Sequence, residues 1–494
     1  MNGHGVARSV VWAALESGLS LAVSTGSVLV LARLLGAAEF GLGSLAHGLV
    51  QIPLVVVGSL VHDALVQKED LAPAELRAGR FGSLLAGFGF ALFTLASAPL
   101  LASAFAEPRL SPLLCALAPL LVLESATAPL LALRRRALAF ATVARRLLAG
   151  RAIGAAAGVL AAVSGLGAAS IVVQQLVASG AILILFERDA PRLRGVPRQG
   201  RAFFELVRFC RPIVGVQLLI QGGERLFLAY VGHRLGLAAA GHWSLAIRLV
   251  ENIAGVVSTA LYHVGLAFMS RLQHDRAALS RRLEEAVDLL MLAVVPAVAA
   301  LIVVADLLLL LVVGGEWLAA AAAVQLLALG ALFSMRRLLP TVALTATGRP
   351  RANLDAYLAE NLPTLALLFL WGPTSILGVA ALRAGRALFG WAVIALAARR
   401  SLARPLGREL GAVLLDLAAL GGGLLAGTLA RFALAPHGWA PWSLLALAAA
   451  AAAAAAAAVL LALRPRAVRT LAASPPFAPR SAACPVAGAR KERS

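Results

Sequence analysis

The feature that most constrains this chain is the recurrence, along all 494 residues, of apolar runs about twenty residues long with few charges in them. Roughly twenty apolar residues in a helix cross a hydrocarbon core of about 30 Å. Composition agrees: 61% of residues are hydrophobic and 14% charged, against roughly half and a quarter in a soluble domain. A soluble fold cannot cover that much apolar surface, so the chain crosses a membrane many times. The first run, Val10 to Ala32, is too long for a signal-peptide core and ends in Arg33 without a clear cleavage site. It is expected to remain as the first spanning helix.

Hydropathy places spans near 10–32, 41–64, 81–106, 110–133, 147–164, 166–186, 212–232, 239–269, 286–313, 319–346, 353–371, 375–398, 410–433 and 442–463. If the N-terminus is cytoplasmic, the connections on that side hold most of the 44 Lys and Arg residues, and the external connections hold only Arg33, Arg109 and Arg234. The asymmetry predicts both termini inside. It also reads the net charge of +20 as a topology signal rather than a nucleic-acid surface. Three cysteines, Cys115, Cys210 and Cys484, show neither metal spacing nor a pairing pattern.

The chain repeats itself. The stretch Leu35 to Val50 aligns without gaps to Leu235 to Val250, with the glycines at 36 and 41 and the serine at 44 returning at 236, 241 and 244. Both copies fall at the external turn after the first helix of a six-helix unit. The expected fold is all-α: two pseudo-symmetric six-helix bundles in parallel orientation, plus two C-terminal helices, about fourteen in all. The predicted segments are an N-terminus 1–9, lobes 10–186 and 212–398, a linker 187–211 whose Phe203 to Arg211 end suits an amphipathic surface helix, two further spans within 399–463, and a disordered basic tail 464–494. The alanine run from Ala448 to Ala458 reads as low complexity. Gly150, Gly154, Gly158, Gly423 and Gly427 read as close helix contacts. Arg151 suggests that its span begins a few residues later than drawn.

No phosphate-cradling loop, paired-histidine site or nucleophile elbow occurs, so neither cofactor nor metal is expected. His47, His62, His242 and His263 read as helix-end or packed histidines. What stands out is charge inside the spans, where an ionisable group costs about 2.5–3.5 kcal/mol and turns toward protein or a wet cavity. Arg225, Arg248, Arg336, Arg337, Arg383 and Arg386 are the expected lining of a cationic cavity. By hydropathy the pairs Arg336-Arg337 and Arg383-Arg386 have few acids at matching depth, and guanidinium binds phosphate by forked hydrogen bonds. Glu16, Glu124, Glu224, Glu251, Asp306, Asp355 and Glu360 are candidate ion-coupling groups. Internal salt bridges are the competing reading for Glu224, Arg225 and Glu251. Arg248 and Glu251 replace Gly48 and Gln51 of the first copy, so the second half carries the charge.

The stretches Gly241-His242-Trp243-Ser244-Leu245-Ala246-Ile247-Arg248-Leu249-Val250-Glu251 and Phe268 to Asp275, with Ala32 to Gly41, Ala64 to Leu71 and Gly314-Gly315-Glu316-Trp317, resemble the lipid-linked oligosaccharide flippases of the multidrug/oligosaccharidyl-lipid/polysaccharide exporter superfamily. That resemblance covers roughly residues 10–400. It implies two lobes around a central cationic cavity, alternating access, no enzymatic activity and a substrate built on polyprenyl pyrophosphate. The implied location is the bacterial inner membrane. The implied partners are membrane lipids and, within the same biosynthesis, polysaccharide polymerase and chain-length machinery. A drug or peptidoglycan-precursor exporter is the alternative, although cationic drugs would want an acidic cavity. A membrane-embedded polymerase or ligase would want a large external loop, which is absent.

Overall fold

The computed structural model describes residues 3–68, 70–137, 139–190, 200–251, 269, 276–347, 350–402, 406–437 and 439–464. The expectations for the tail beyond Arg464, for most of the 268–275 motif, for His263 and for the Glu16 side chain lie outside the described residues.

Helix dominates because alanine and leucine, both good helix formers, fill the apolar runs. The helices are α1 (Gly3–Ser59), α2 (His62–Gln67), α3 (Pro73–Ala104), α4 (Leu110–Arg136), α5 (Phe140–Val163) and α6 (Ala169–Glu187) in the first half. In the second half α7 (Gly200–Gln217) passes through a π-helical turn, Leu218–Gly222, into α8 (Gly223–Leu235). Then come α9 (237–251), α10 (Arg276–Val312), α11 (Ala321–Arg336), α12 (Leu338–Ala346), α13 (Pro350–Trp371), α14 (Ile376–Leu402), α15 (Leu406–Leu434) and α16 (Pro441–Leu463). Among the described residues ten helices are long and apolar enough to cross a membrane, and there is no strand. The molecule is an all-α polytopic membrane protein.

The repeat seen in the sequence has a physical counterpart. Gly36 kinks α1 with φ 75° and ψ 168°, and Gly236 separates α8 from α9 with φ 90° and ψ 175°. A side chain pays a steric cost in that region and glycine does not. Beyond each kink the two copies touch one another reciprocally. A Cβ on Gly41 would collide with the carbonyl oxygen of Leu237, and one on Gly241 with that of Ala37. The helices therefore cross backbone to backbone where the repeat axis must run. Around the crossing, Trp317 takes Phe40 and His242 edge-on at 5.6 and 5.4 Å, while His242 Nε2 donates to the Glu316 carbonyl at 2.9 Å. Arg33 donates to the Val312 carbonyl at 3.2 Å. The residues behind the Gly314-Gly315-Glu316-Trp317 motif thus clamp the two halves together at this end of the bundle, here called the turn end.

Elsewhere small residues set the approach of helices. Gly150, Gly154 and Gly158 lay α5 against Ile182, Ala178 and Gln174 of α6. Gly423 and Gly427 do the same for α15 against Ala452 of α16 and against Ala299 and Val303 of α10. The alanine run of α16 is a packing device, because Ala448, Ala452, Ala456 and Leu460 are buried at helical spacing. The segment expected to lie amphipathic on the membrane is α7. Its apolar face (Ala202, Leu206, Cys210, Val214) is buried, with Leu206 over Gly79 and Phe203 over Gly82 of α3, and Phe204 and Phe209 point outward. At the opposite end from the clamp, Asp189 after α6 bonds Arg146, whose guanidinium holds that carboxyl below the usual carboxylate range.

Two boundaries differ from expectation. Helix α5 begins at Phe140 rather than after Arg151, because Phe140 to Val143 extend the helix ahead of the arginine pair. Helix α15 begins at Leu406, which draws Glu409 into its first turn.

Candidate functional site: a polar chamber between the halves

A cavity of about 610 Å³ opens where the two halves of the repeat face one another. The first half contributes Ser24 and Ser27 before the Gly36 kink, Ser44, His47 and Gln51 beyond it, Arg151 from α5, and Gln174 and Gln175 from α6. The second half contributes Gln221 from the π turn, Glu224 and Arg225 from the start of α8, and Ser244, Arg248 and Glu251 from α9. Ser44 to Gln51 stand roughly 12–22 Å along their helix from Gly36 at 1.5 Å per residue. That is the middle of the apolar zone, where polar groups must have a use or a partner.

The expected arginines separate into two sets. Arg225 and Arg248 line the cavity, and among the described residues neither forms an ion pair and the buried Arg225 Nε has no hydrogen-bond partner. A buried guanidinium donor left unpaired costs more than it would hydrogen-bonded. Arg383 and Arg386 stand one layer behind, on α14. They share one anion: Arg383 Nε donates to Glu224 at 2.9 Å and Arg386 donates to its other oxygen. Arg383 also reaches Glu251 at 2.7 Å, and Arg386 reaches the Asn361 carbonyl oxygen at 3.0 Å while its guanidinium lies 5.6 Å over the Phe227 ring. These two arginines fix both cavity carboxylates in place.

Arg336 and Arg337 do not reach the cavity, and the expectation that they lack acidic partners is corrected. Arg336, 2% exposed, donates to Glu409 at 3.0 Å and to Asp416. Arg464 joins the same cluster through Asp416 at 2.8 Å and Asp288 at 3.1 Å, and Trp391 donates to Glu409. Arg337 pairs with buried Glu360 and lies over the Tyr357 ring. The partners come from α13 and α15, whose depth relative to α11 hydropathy does not give.

The acids divide likewise. Glu224 and Glu251 line the cavity. Glu124 accepts from Ser179 at 2.6 Å and interacts electrostatically with Arg151. Asp306 is held by both terminal nitrogens of Arg431 at 2.9 Å, Glu360 sits with Arg337, and Asp355 is exposed on α13. Of the histidines, His47 lines the cavity, His242 belongs to the clamp, and His62 bonds Asp63 at 3.1 Å. The residues missed by sequence reading are Arg151, counted with a cytoplasmic connection, and the neutral set Ser24, Ser27, Ser44, Gln51, Gln174 and Gln175. Several of these stand at mid-span in otherwise apolar runs, which is the signal that was available.

A helical bundle with a polar chamber between repeat-related halves defines a polytopic membrane protein of the transporter type. The sequence profile of the polysaccharide biosynthesis protein family matches residues 30–322, and the chain belongs to that family. The succinoglycan biosynthesis transport protein ExoT of Rhizobium meliloti (strain 1021) is 26% identical over 301 residues; the match spans 60% of this chain and 60% of that protein. Among solved structures, the fold matches the lipid II flippase MurJ in an inward closed conformation with TM-score 0.66 at 13% identity, over 94% of this chain and 98% of that one. It also matches an inward-facing multidrug resistance MATE family transporter of the MOP superfamily, with TM-score 0.56 at 13% identity, over 80% and 94% of the two chains.

Proposed function

We propose that this protein moves a polyprenyl-pyrophosphate-linked oligosaccharide across the bacterial inner membrane by alternating access. The observation that carries the reading is the pair Arg225 and Arg248, cations that make no direct ion pair among the described residues although Glu224 and Glu251 lie within electrostatic reach, on the wall of a chamber deep in an apolar bundle. With Arg383 and Arg386 behind them, four guanidinium groups stand against the two carboxylates Glu224 and Glu251. The surplus is positive, and it suits a pyrophosphate diester, which carries one negative charge on the oxygens of each phosphate group. Guanidinium meets phosphate oxygens through parallel N–H donors, which gives orientation as well as attraction.

In this reading the chain has fourteen spans with both termini cytoplasmic, two six-helix lobes within 10–186 and 212–398, and two further helices within 399–463. The clamp at Gly41, Gly241, Phe40 and Trp317 is the external gate. Opening it requires the lobes to part along a backbone contact that no side chain props open. The sequence carries no nucleotide-binding motif, so the drive is an ion gradient or substrate supply, with Glu251 as the coupling group because it lines the cavity and shares Arg383 with Glu224. The family relationship to polysaccharide biosynthesis and the transport protein ExoT support the substrate class. The polymerase and chain-length machinery of the same biosynthesis are the expected neighbours.

The test is transport by purified protein in liposomes carrying undecaprenyl-pyrophosphoryl glucose in one leaflet. Protein-dependent appearance of the sugar in the other leaflet, without ATP and lost in Arg225→Ala/Arg248→Ala, is the expected result. An absolute requirement for ATP hydrolysis by this chain, or full transport by the double variant, would refute the mechanism.

A further inference from the structure

The two walls of the chamber are copies of one another that have diverged where they face the space between them. Ser44 and Ser244 are matched in the repeat, and both line the cavity. One and two turns further on, Gly48 is matched by Arg248 and Gln51 by Glu251, and all four line it too. At a single depth, then, one wall is neutral and hydrogen-bonding while its counterpart is charged. Arg151 does not alter this balance, since Glu124 lies within its electrostatic reach on the same side.

Resting on the flippase reading above, we propose that the first-half wall is a sugar subsite. Ser44, Gln51 and Gln175 bind hydroxyl groups of the glycan residue next to the pyrophosphate, while Arg225 and Arg248 across the cavity hold the pyrophosphate itself. Three observations support it. Ser44 is 2% exposed, and its hydroxyl has no hydrogen-bond partner among the described residues, a cost that a ligand hydroxyl would relieve. Gln175 makes no hydrogen bond among the described residues, and the Gln51 amide nitrogen reaches only His47, at 3.4 Å, which leaves its carbonyl oxygen as an acceptor. Gln174, which also lines the cavity, donates to Ser27 at 3.2 Å, so its amide nitrogen is engaged in tying α6 to α1.

The chemistry of these groups selects the ligand. A carboxamide presents a donor and an acceptor side by side, and a sugar hydroxyl is both. A phosphate oxygen only accepts, so it can use the amide and hydroxyl donors of this wall but not its carbonyl acceptors, whereas a sugar hydroxyl can use both. The repeat thereby sorts the two chemical parts of one amphipathic headgroup onto opposite sides of its axis, and it sets the orientation in which the headgroup enters.

The experiment is equilibrium binding, in detergent, of radiolabelled undecaprenyl pyrophosphate and of the same lipid carrying one glucose or one galactose. Wild-type protein is expected to bind at least one hexose-bearing lipid about tenfold more tightly than the bare pyrophosphate, the worth of two or three neutral hydrogen bonds. Ser44→Ala/Gln51→Ala/Gln175→Ala should erase that increment and leave the bare lipid's affinity in place. Gln51→Ala and Gln175→Ala made singly, which burden folding less, should each cost about threefold on the hexose-bearing lipid alone. No increment in the wild type with either sugar, an increment that survives the triple variant, or equal losses for both lipids would overturn the subsite. Arg225→Ala/Arg248→Ala should weaken all the lipids together. If it does not, the pyrophosphate reading fails, while the sugar increment still judges the subsite by itself.

Discussion

A guanidinium inside a membrane needs an anion, a cavity or both, and the arginines of this chain use different solutions that only three-dimensional structure separates. Arg336 lies between Glu409 and Asp416. Arg336→Ala removes the cation shared by two buried carboxylates, although Asp416 keeps Arg464 and Glu409 keeps Trp391, and breaking a buried pair from one side costs about 3–5 kcal/mol. A lower melting temperature and lower protein yield should follow. Arg248→Ala strands no ion-paired partner among the described residues, so yield and melting temperature should stay near wild type while transport falls. Comparing the two variants by thermal melting of purified protein beside transport checks the division. The sequence showed that all these arginines lie within spans, and it marked the second half as the charged one. It could not show the pairing, because Glu409 read as part of a connection and Arg464 as the start of a tail. A shift of a few residues in a helix start was enough to hide Glu409, while Asp416, the other partner of Arg336, stood inside a predicted span with nothing in the sequence to pair it.

At the level of the helices, close approach does what large side chains do in a soluble core. Gly41 and Gly241 cross with no room for a Cβ, so Gly41→Ala should push the lobes apart at the turn end. With Ser44→Cys as reporter, labelling by an impermeant maleimide added from outside should rise severalfold in Gly41→Ala. Unchanged labelling in a monodisperse protein would contradict the gate. The repeat was legible from its glycines and serine, but its function as a crossing was not, since nothing in one dimension says that 41 meets 241. The alanine run of α16 read as low complexity and is instead a buried stripe. Ala452 is fully buried, with its carbonyl against Gly423 and its methyl against Gly427. Ala452→Leu overfills that contact and should destabilise the protein by about 1–3 kcal/mol, read as a drop in melting temperature. Asp306 of α10 and Arg431 of α15 fasten those helices together by two parallel hydrogen bonds.

For the whole molecule, periodic hydropathy and the duplicated motif were sufficient to foresee a polytopic all-helical protein with two related halves. The chamber was foreseen in sign only. Arg225 and Arg248 were named, but Arg151 and the neutral wall facing them were not, because glutamine and serine inside a span look like noise until a cavity gathers them. The account stands on Arg225 and Arg248 holding an anionic lipid headgroup between the halves. The most direct test is in cells lacking the chromosomal copy and expressing Arg225→Ala/Arg248→Ala at wild-type protein level, where undecaprenyl-linked oligosaccharide is measured in the inner leaflet. The account predicts that this lipid accumulates and exported polysaccharide disappears, with Arg225→Lys/Arg248→Lys restoring export only in part, since ammonium keeps the charge and loses the fork. Normal export with no accumulation in the alanine variant would contradict it.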